Sequence, residues 1–230
     1  MAPLPENLPW HALHTEHARF AIAAPCARRY PADVTPFAGT PDNSVESIRQ
    51  LAGLLTPGEE VYLMGDAPAI IPELTYGQVI PCVQMDGPAS GPDSGDEQND
   101  AAVVPLTFLD APAMVALTDL AFPGFFRSRT CEMGSYFGIR AGNRLVAMGG
   151  ERLALPGWRE ISGICTHPAF TGRGYAARII ARLLREHADA ELHSFLLVGG
   201  TNTRAMDLYY RLGFSLRRQV LLHPVSRPTV

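Results

Sequence analysis

The sequence predicts an α/β protein of the mixed, α+β kind: a main sheet with helices on both faces, preceded by a smaller α/β unit. Three observations carry this. Extended apolar runs alternate with amphipathic helical periods through the C-terminal half. A polar break interrupts the chain before that half begins. The 47% apolar and 18% charged content over 230 residues is enough to build a sizeable core.

The break runs from Gly87 through Asp100 and is rich in Gly, Pro, Ser and Asp, without large apolar side chains. Such a stretch buries too little surface to offset its ordering entropy. The expected division is therefore residues 1–86 as an N-terminal α/β domain, 87–104 as a flexible linker and 105–230 as a second domain. In the first, Pro9–Ala24 is expected to begin with a helix and Val45–Leu55 to be one; Glu60–Met64 and Gln78–Met85 read as strands. In the second, Asp110 should cap a helix over 110–120, with Met114, Val115, Leu117 and Leu120 on its apolar side. A further helix is expected over Phe125–Met133. Ser135–Arg140 and Arg144–Leu155 form a hairpin around Ala141-Gly142-Asn143. Strand 160–166, helix 174–187, strand 192–198, helix 202–212 and strand 214–223 complete the order.

Charge is unevenly divided. Residues 1–104 carry 4 Arg against 14 acids, and residues 105–230 carry 15 Arg against 9, giving −10 and +6 within a net charge of −4. The basic half suits a polyanion, but no aromatic–basic motif accompanies it, so no nucleic-acid partner is expected. The acidic half favours a cationic acceptor. No run approaches a membrane span, and the start lacks a secretory signal. Cys26, Cys82, Cys131 and Cys165 are scattered without metal spacing, so reduced thiols, a cytoplasmic location and no metal are expected.

One segment carries the chemistry. A strand ending at Thr166 leads through His167-Pro168-Ala169-Phe170-Thr171 into Gly172-Arg173-Gly174, and an amphipathic helix follows. Gly-x-Gly alone ends many loops. Before a helix N-terminus, however, it leaves several N–H groups unpaired in a partial positive field, with no Cβ to keep a phosphate away. One strand later comes Asn202-x-x-Ala205-x-x-Leu208-Tyr209-x-x-Leu212-Gly213-Phe214.

Together these motifs resemble the GNAT superfamily of acyl-CoA-dependent N-acetyltransferases over roughly residues 105–225. Tyr136–Arg140, Leu145–Met148 and Glu160–Pro168 are most similar to its glycine-N-acyltransferase-like branch. The resemblance implies a GNAT-like splayed sheet and acetyl-CoA as acyl donor. It places the pyrophosphate on the N–H groups of Gly172, Arg173, Gly174, Tyr175 and Ala176, beside Thr171. Thr171 departs from the family's usual Arg or Gln but keeps an N–H and adds a hydroxyl. Pantetheine would pair with the backbone of Ile164, Cys165 and Thr166 and meet Asn202.

The implied reaction moves an acetyl group to a primary amine or peptide amine by direct attack, through a tetrahedral intermediate. A neutral amine needs a base, for which Glu160 is the first candidate, with Glu151 and His167 behind it. Tyr209 stands where the family often has the acid that protonates the leaving thiolate. Blander readings stay open: Asn202 as a helix cap, Tyr209 as a packing residue, Glu160 as a strand-end surface carboxylate and Cys165 as a small core residue. The N-terminal part is expected to complete the substrate side. It is also open to being a degenerate copy of the same fold, and it lacks a second Gly-x-Gly before a helix. The alternative function is a CoA-binding regulatory or interaction module with little turnover.

Overall fold

The computed structural model describes residues 3–88 and 103–229; residues 89–102, most of the expected linker, lie outside the described residues. The N-terminal elements are α1 (Leu8–Ala12), β1 (Ile22–Ala24), β2 (Ala27–Arg29), β3 (Ala38–Gly39), α2 (Val45–Leu54), β4 (Glu60–Met64), β5 (Thr75–Tyr76) and β6 (Ile80–Asp86). Then follow β7 (Val104–Leu106), α3 (Ala111–Asp119), β8 (Tyr136–Ala141), β9 (Arg144–Leu155) and β10 (Trp158–Thr166). The chain closes with α4 (Tyr175–Asp189), β11 (His193–Gly199), α5 (Thr203–Arg211) and β12 (Ser215–Ser226).

Strands β1–β3 make a small sheet. The rest form a nine-stranded sheet ordered β4-β12-β6-β11-β10-β9-β8-β7, with β5 also on β12. Within it β6, from the N-terminal stretch, is antiparallel to both β11 and β12. The expected division at 87–104 thus separates two stretches of sequence that share one sheet. α4 lays Ile179, Ile180, Leu183 and Leu184 on one face, against Val146, Ile161 and Leu196. α3 covers the opposite face through Met114 and Leu117, packed on Leu145 and Met148. On that same side the N-terminal segment packs Leu8, Tyr30 and Phe37 against Leu153, Trp158 and Phe195.

β10 and β11 are the parallel pair at the centre, and they pair only from Trp158↔His193 to Ile161↔Leu196. Beyond Ile161 the strands part. On the β9 side, a bulge between Ser162 and Cys165 breaks the register. Gly163 takes φ +67 there, a left-handed conformation that suits a residue without Cβ. The splayed sheet expected from the resemblance is present.

Two local expectations change. The helix over 125–133 is only a 3-10 turn at Thr130–Met133. Thr130 Oγ1 accepts from the Arg127 N–H, and the Arg129 N–H goes to the Asp33 carbonyl, so backbone groups a helix would need are spent elsewhere. Asp110 does not cap α3 through its side chain; its carboxylate accepts from Thr107 and Arg140 instead. The helix expected at the start of 9–24 is α1, which ends at Ala12, where the chain turns to bury Leu13 and His17.

His17 is bonded to the Tyr30 hydroxyl (2.9 Å) and the Met133 carbonyl (3.1 Å). Burial pulls its imidazole from an ordinary 6.5 down to about 4, and the Met133 bond only partly offsets this. The unfolded chain therefore binds a proton that the folded protein refuses between those two values. Stability should fall as pH drops from about 6.5 towards 4, by up to about 3 kcal/mol. Urea midpoints measured across that window should flatten in His17→Gln; an unchanged slope would remove His17 as the source. No helix among the described residues is long and apolar enough to cross a membrane.

Candidate active site

The Gly-x-Gly turn and the helix after it form where the sequence places them. After β10, Pro168–Phe170 makes a 3-10 turn, and Gly172 (φ +77) and Gly174 (φ +73) both adopt left-handed backbone. A Cβ built on either meets nothing within 4 Å, so the space beside them is open. Gly174 caps α4 without any side-chain bond. The first helical bond runs from the Arg178 N–H to the Gly174 carbonyl, so the N–H groups of Tyr175, Ala176 and Ala177 point out of the helix end. A phosphate group fits such a set of donors.

Thr171 contributes less than its chemistry suggests. Its hydroxyl donates to the Pro168 carbonyl at 3.1 Å and so closes the turn. Arg173 lies over the Phe170 ring, 4.9 Å from its centroid.

The cradle opens into a cleft of about 520 Å³ running along β10. Ile164, Cys165, Thr166, Asn202 and Tyr209 all line it. Cys165 and Thr166 pair with β9 on one side, while pairing with β11 has already ended. That leaves one backbone edge of β10 free for an extended ligand. Asn202 Oδ1 accepts from the Ala205 N–H at 3.1 Å, so the side chain caps α5 while still bordering the cleft. Arg204 and Arg211 also line it; the Arg-rich composition was the one signal for them, and it gives no position.

A second cavity of about 320 Å³ meets the first at Ala121, Ile164, Asn202 and Tyr209. Burial pushes the Tyr209 phenol up to about 12, so it keeps its proton at neutral pH. Burial also pushes the Cys165 thiol up to about 12, which leaves it no thiolate for nucleophilic attack.

Glu160 is not brought to this site. It is 0% exposed and lines neither cavity. Its oxygens accept from Arg152 Nη2 (2.5 Å), Arg152 Nε (3.0 Å) and the Leu153 N–H (3.1 Å). With three donors on its oxygens and no place in either cavity wall, Glu160 is not brought into direct reach of an amine in the cleft, where the sequence suggested a base. Position in a strand suggested reach into the cleft; the partner eight residues earlier, across the hairpin, decided otherwise.

Glu151 is spoken for as well. It bonds His187 Nε2 (3.0 Å), whose Nδ1 meets Ser194 Oγ (2.7 Å). Burial pushes its carboxyl up, but His187 and the Ser135 N–H more than reverse this. His167 contacts Arg144 and the Ala169 N–H and lines neither cavity. Among the described residues, no group of His, Cys, Asp and Glu is placed to hold a metal ion.

A splayed parallel pair with a glycine cradle at the mouth of the splay defines an acyl-CoA-type transferase scaffold, and the comparisons agree. A family model described as FR47-like protein matches residues 136–222. A crystal structure from Novosphingobium aromaticivorans, assigned to the GNAT family of acetyltransferases, is 30% identical with a TM-score of 0.85, over 97% of this chain and 98% of that one. A GCN5-related N-acetyltransferase from Kribbella flavida shares the fold at 15% identity, with a TM-score of 0.58 over 94% and 95% of the two chains. No curated protein matches the sequence. The chain belongs to the GNAT family and is an acetyltransferase.

Proposed function

We propose that the protein moves an acetyl group from acetyl-CoA to a primary amine by direct attack, and that it falls in the glycine-N-acyltransferase-like branch. The observation carrying this is the continuity of one cleft, from the open N–H groups at Gly172–Ala176, along the free edge of Ile164–Thr166, to Tyr209. When bound, acetyl-CoA supplies an activated thioester carbonyl and a thiolate leaving group.

The chain's own groups do the rest. The helix end and Arg173, with Arg204 and Arg211 nearby, hold phosphate charge. The β10 edge fixes the pantetheine amides, and a backbone N–H near Cys165 faces the carbonyl oxygen as negative charge develops there. Tyr209 holds a proton at Oη and gives it to the departing sulfur. No carboxylate or histidine is among the described residues lining the second cavity, so the amine proton leaves through water.

Residues 1–86 act as the substrate-side unit and 105–230 as the transferase unit. Phe37, Ile80 and Cys82 in the cavity wall support that division of labour. Four free cysteines support a cytoplasmic setting.

Thermal melting across an acetyl-CoA titration tests the donor, and thiol release with an amine panel tests transfer. Binding without turnover of any amine would leave a CoA-binding module. Tyr209→Phe should lower kcat by about 100-fold with little change in acetyl-CoA affinity. An unchanged kcat would sink the acid role.

A further inference from the structure

Independently of the acetyl-transfer reading, we infer that the protein carries a second ligand site for a small zwitterion, whose carboxylate meets Arg127 and Thr35 and whose ammonium meets Glu60. The site is a cavity of about 430 Å³ between the stretch 32–36, the connection from α2 to β4 and the segment that follows α3. That volume lies within the usual range for small-molecule sites. It shares no lining residue with the acetyl-CoA cleft or with the second cavity.

The polar side chains at this cavity divide into engaged and unengaged groups. Glu59 is engaged: Oε1 accepts from Arg29 Nη1 at 2.7 Å, and Oε2 accepts from the Thr56 N–H and hydroxyl at 3.0 and 2.9 Å. Thr35 is 1% exposed, and its hydroxyl is buried without a hydrogen-bond partner. Arg127 likewise has Nε buried without a partner. Glu60 accepts from the Tyr62 hydroxyl on Oε1 at 3.0 Å, which leaves Oε2 unused among the described residues. No ion pair among the described residues includes Arg127 or Glu60. A cation and a carboxylate therefore line one cavity without pairing.

Buried polar groups in folded proteins are nearly always partnered, because an orphaned one is costly. Valine would fill the space of Thr35 without that cost. Here two orphaned atoms belong to the lining of one cavity, and a ligand carboxylate supplies an acceptor for both. The backbone around them is held independently of any ligand. The Thr130 hydroxyl donates to the Val34 carbonyl, and the Arg129 N–H donates to the Asp33 carbonyl. Arg127 is thus placed by its neighbours rather than by a partner of its own, as a preorganised binding group is. Glu60 selects among carboxylates. It repels a simple anion, and Arg127 repels a simple cation. A molecule with both charges at short separation meets each with its opposite.

The test is titration of the full chain with glycine, β-alanine and 4-aminobutyrate, which set the two charges at increasing separation, against propionate and propylamine. Melting temperature and calorimetry are the readouts. At least one zwitterion should saturate in the millimolar range or tighter, with each single-charge analogue about 10-fold weaker or worse. Arg127→Met and Glu60→Gln should each lower zwitterion affinity by about 10-fold, and a cooperative melt shows that each variant folds. Thr35→Val should raise the melting temperature of the free protein by about 2–4 °C, since it removes an orphaned hydroxyl, and should weaken the zwitterion. A hydroxyl with a purely structural role would not couple those two effects. Saturation by none of the three zwitterions overturns the inference. So does equal binding of propionate or propylamine, or zwitterion affinity unchanged in Arg127→Met, which would place the ligand elsewhere. Each of these outcomes leaves acetyl transfer at the separate cleft standing.

Discussion

Gly174→Asp should abolish acetyl-CoA binding while leaving the free protein nearly as stable as before. Gly174 has φ +73, and a Cβ there meets nothing within 4 Å, so the side chain has room. Asp is among the residues that tolerate left-handed backbone best, at a cost of about 1 kcal/mol. A carboxylate at the start of α4 also interacts favourably with the helix end, which offsets that cost. The same carboxylate stands where phosphate would lie. Two like charges about 4 Å apart near a protein surface repel by about 4 kcal/mol, so a loss of affinity on the order of 100- to 1,000-fold is expected. Gly142→Asp is the control: it has φ +60 in the β8–β9 turn, equal open space and no ligand nearby. The melting shift with acetyl-CoA should vanish in the first variant and persist in the second. Binding retained by Gly174→Asp would mean that the cradle is misassigned.

The second large effect is on stability. Glu160→Gln should cost about 3–5 kcal/mol, because it leaves the buried Arg152 guanidinium uncompensated. Burial lowers the guanidinium's affinity for its proton, and Glu160 more than restores it. The Arg152→Met, Glu160→Leu pair should recover most of that loss in urea unfolding, since neither charge remains. A general base would behave in the opposite way: near-native stability, a large fall in kcat and a lost inflection in the pH profile. That pattern would return Glu160 to the reaction.

These two sites also mark where the sequence could be read. The cradle was legible because its cause is local: two glycines, a turn and the helical stripe Ile179, Ile180, Leu183 and Leu184 lie within one short segment. Asn202 and Tyr209 were legible for the same reason, being fixed by their spacing on one helix. Glu160 was not, because its partner Arg152 comes from the facing strand of a hairpin, and pairing across strands leaves no period in either one. β1, β2 and β3, of three, three and two residues, are too short to show alternation. Phe125–Met133 has helical composition, but Asp33 and Thr130 capture its backbone groups, and Asp33 is remote in the chain. The second cavity draws Phe37, Ile80, Arg152 and Leu222 from four separate strands and loops, which only the folded sheet brings together.

The position of β6 has a consequence for how the protein is made. Its strand ends at Asp86, whereas its neighbours β11 and β12 begin at His193 and Ser215. On a ribosome, β6 emerges long before either strand it must join. Both of its hydrogen-bonding edges wait, exposed, until almost the entire chain has been synthesised. The sheet therefore closes last at its middle, and it assembles slowly because its central pairings join residues about half the chain apart. The same arrangement makes the protein separable: two chains cut between Pro88 and Val103 would hold three and six strands of one interdigitated sheet and, when mixed, would find each other through β6.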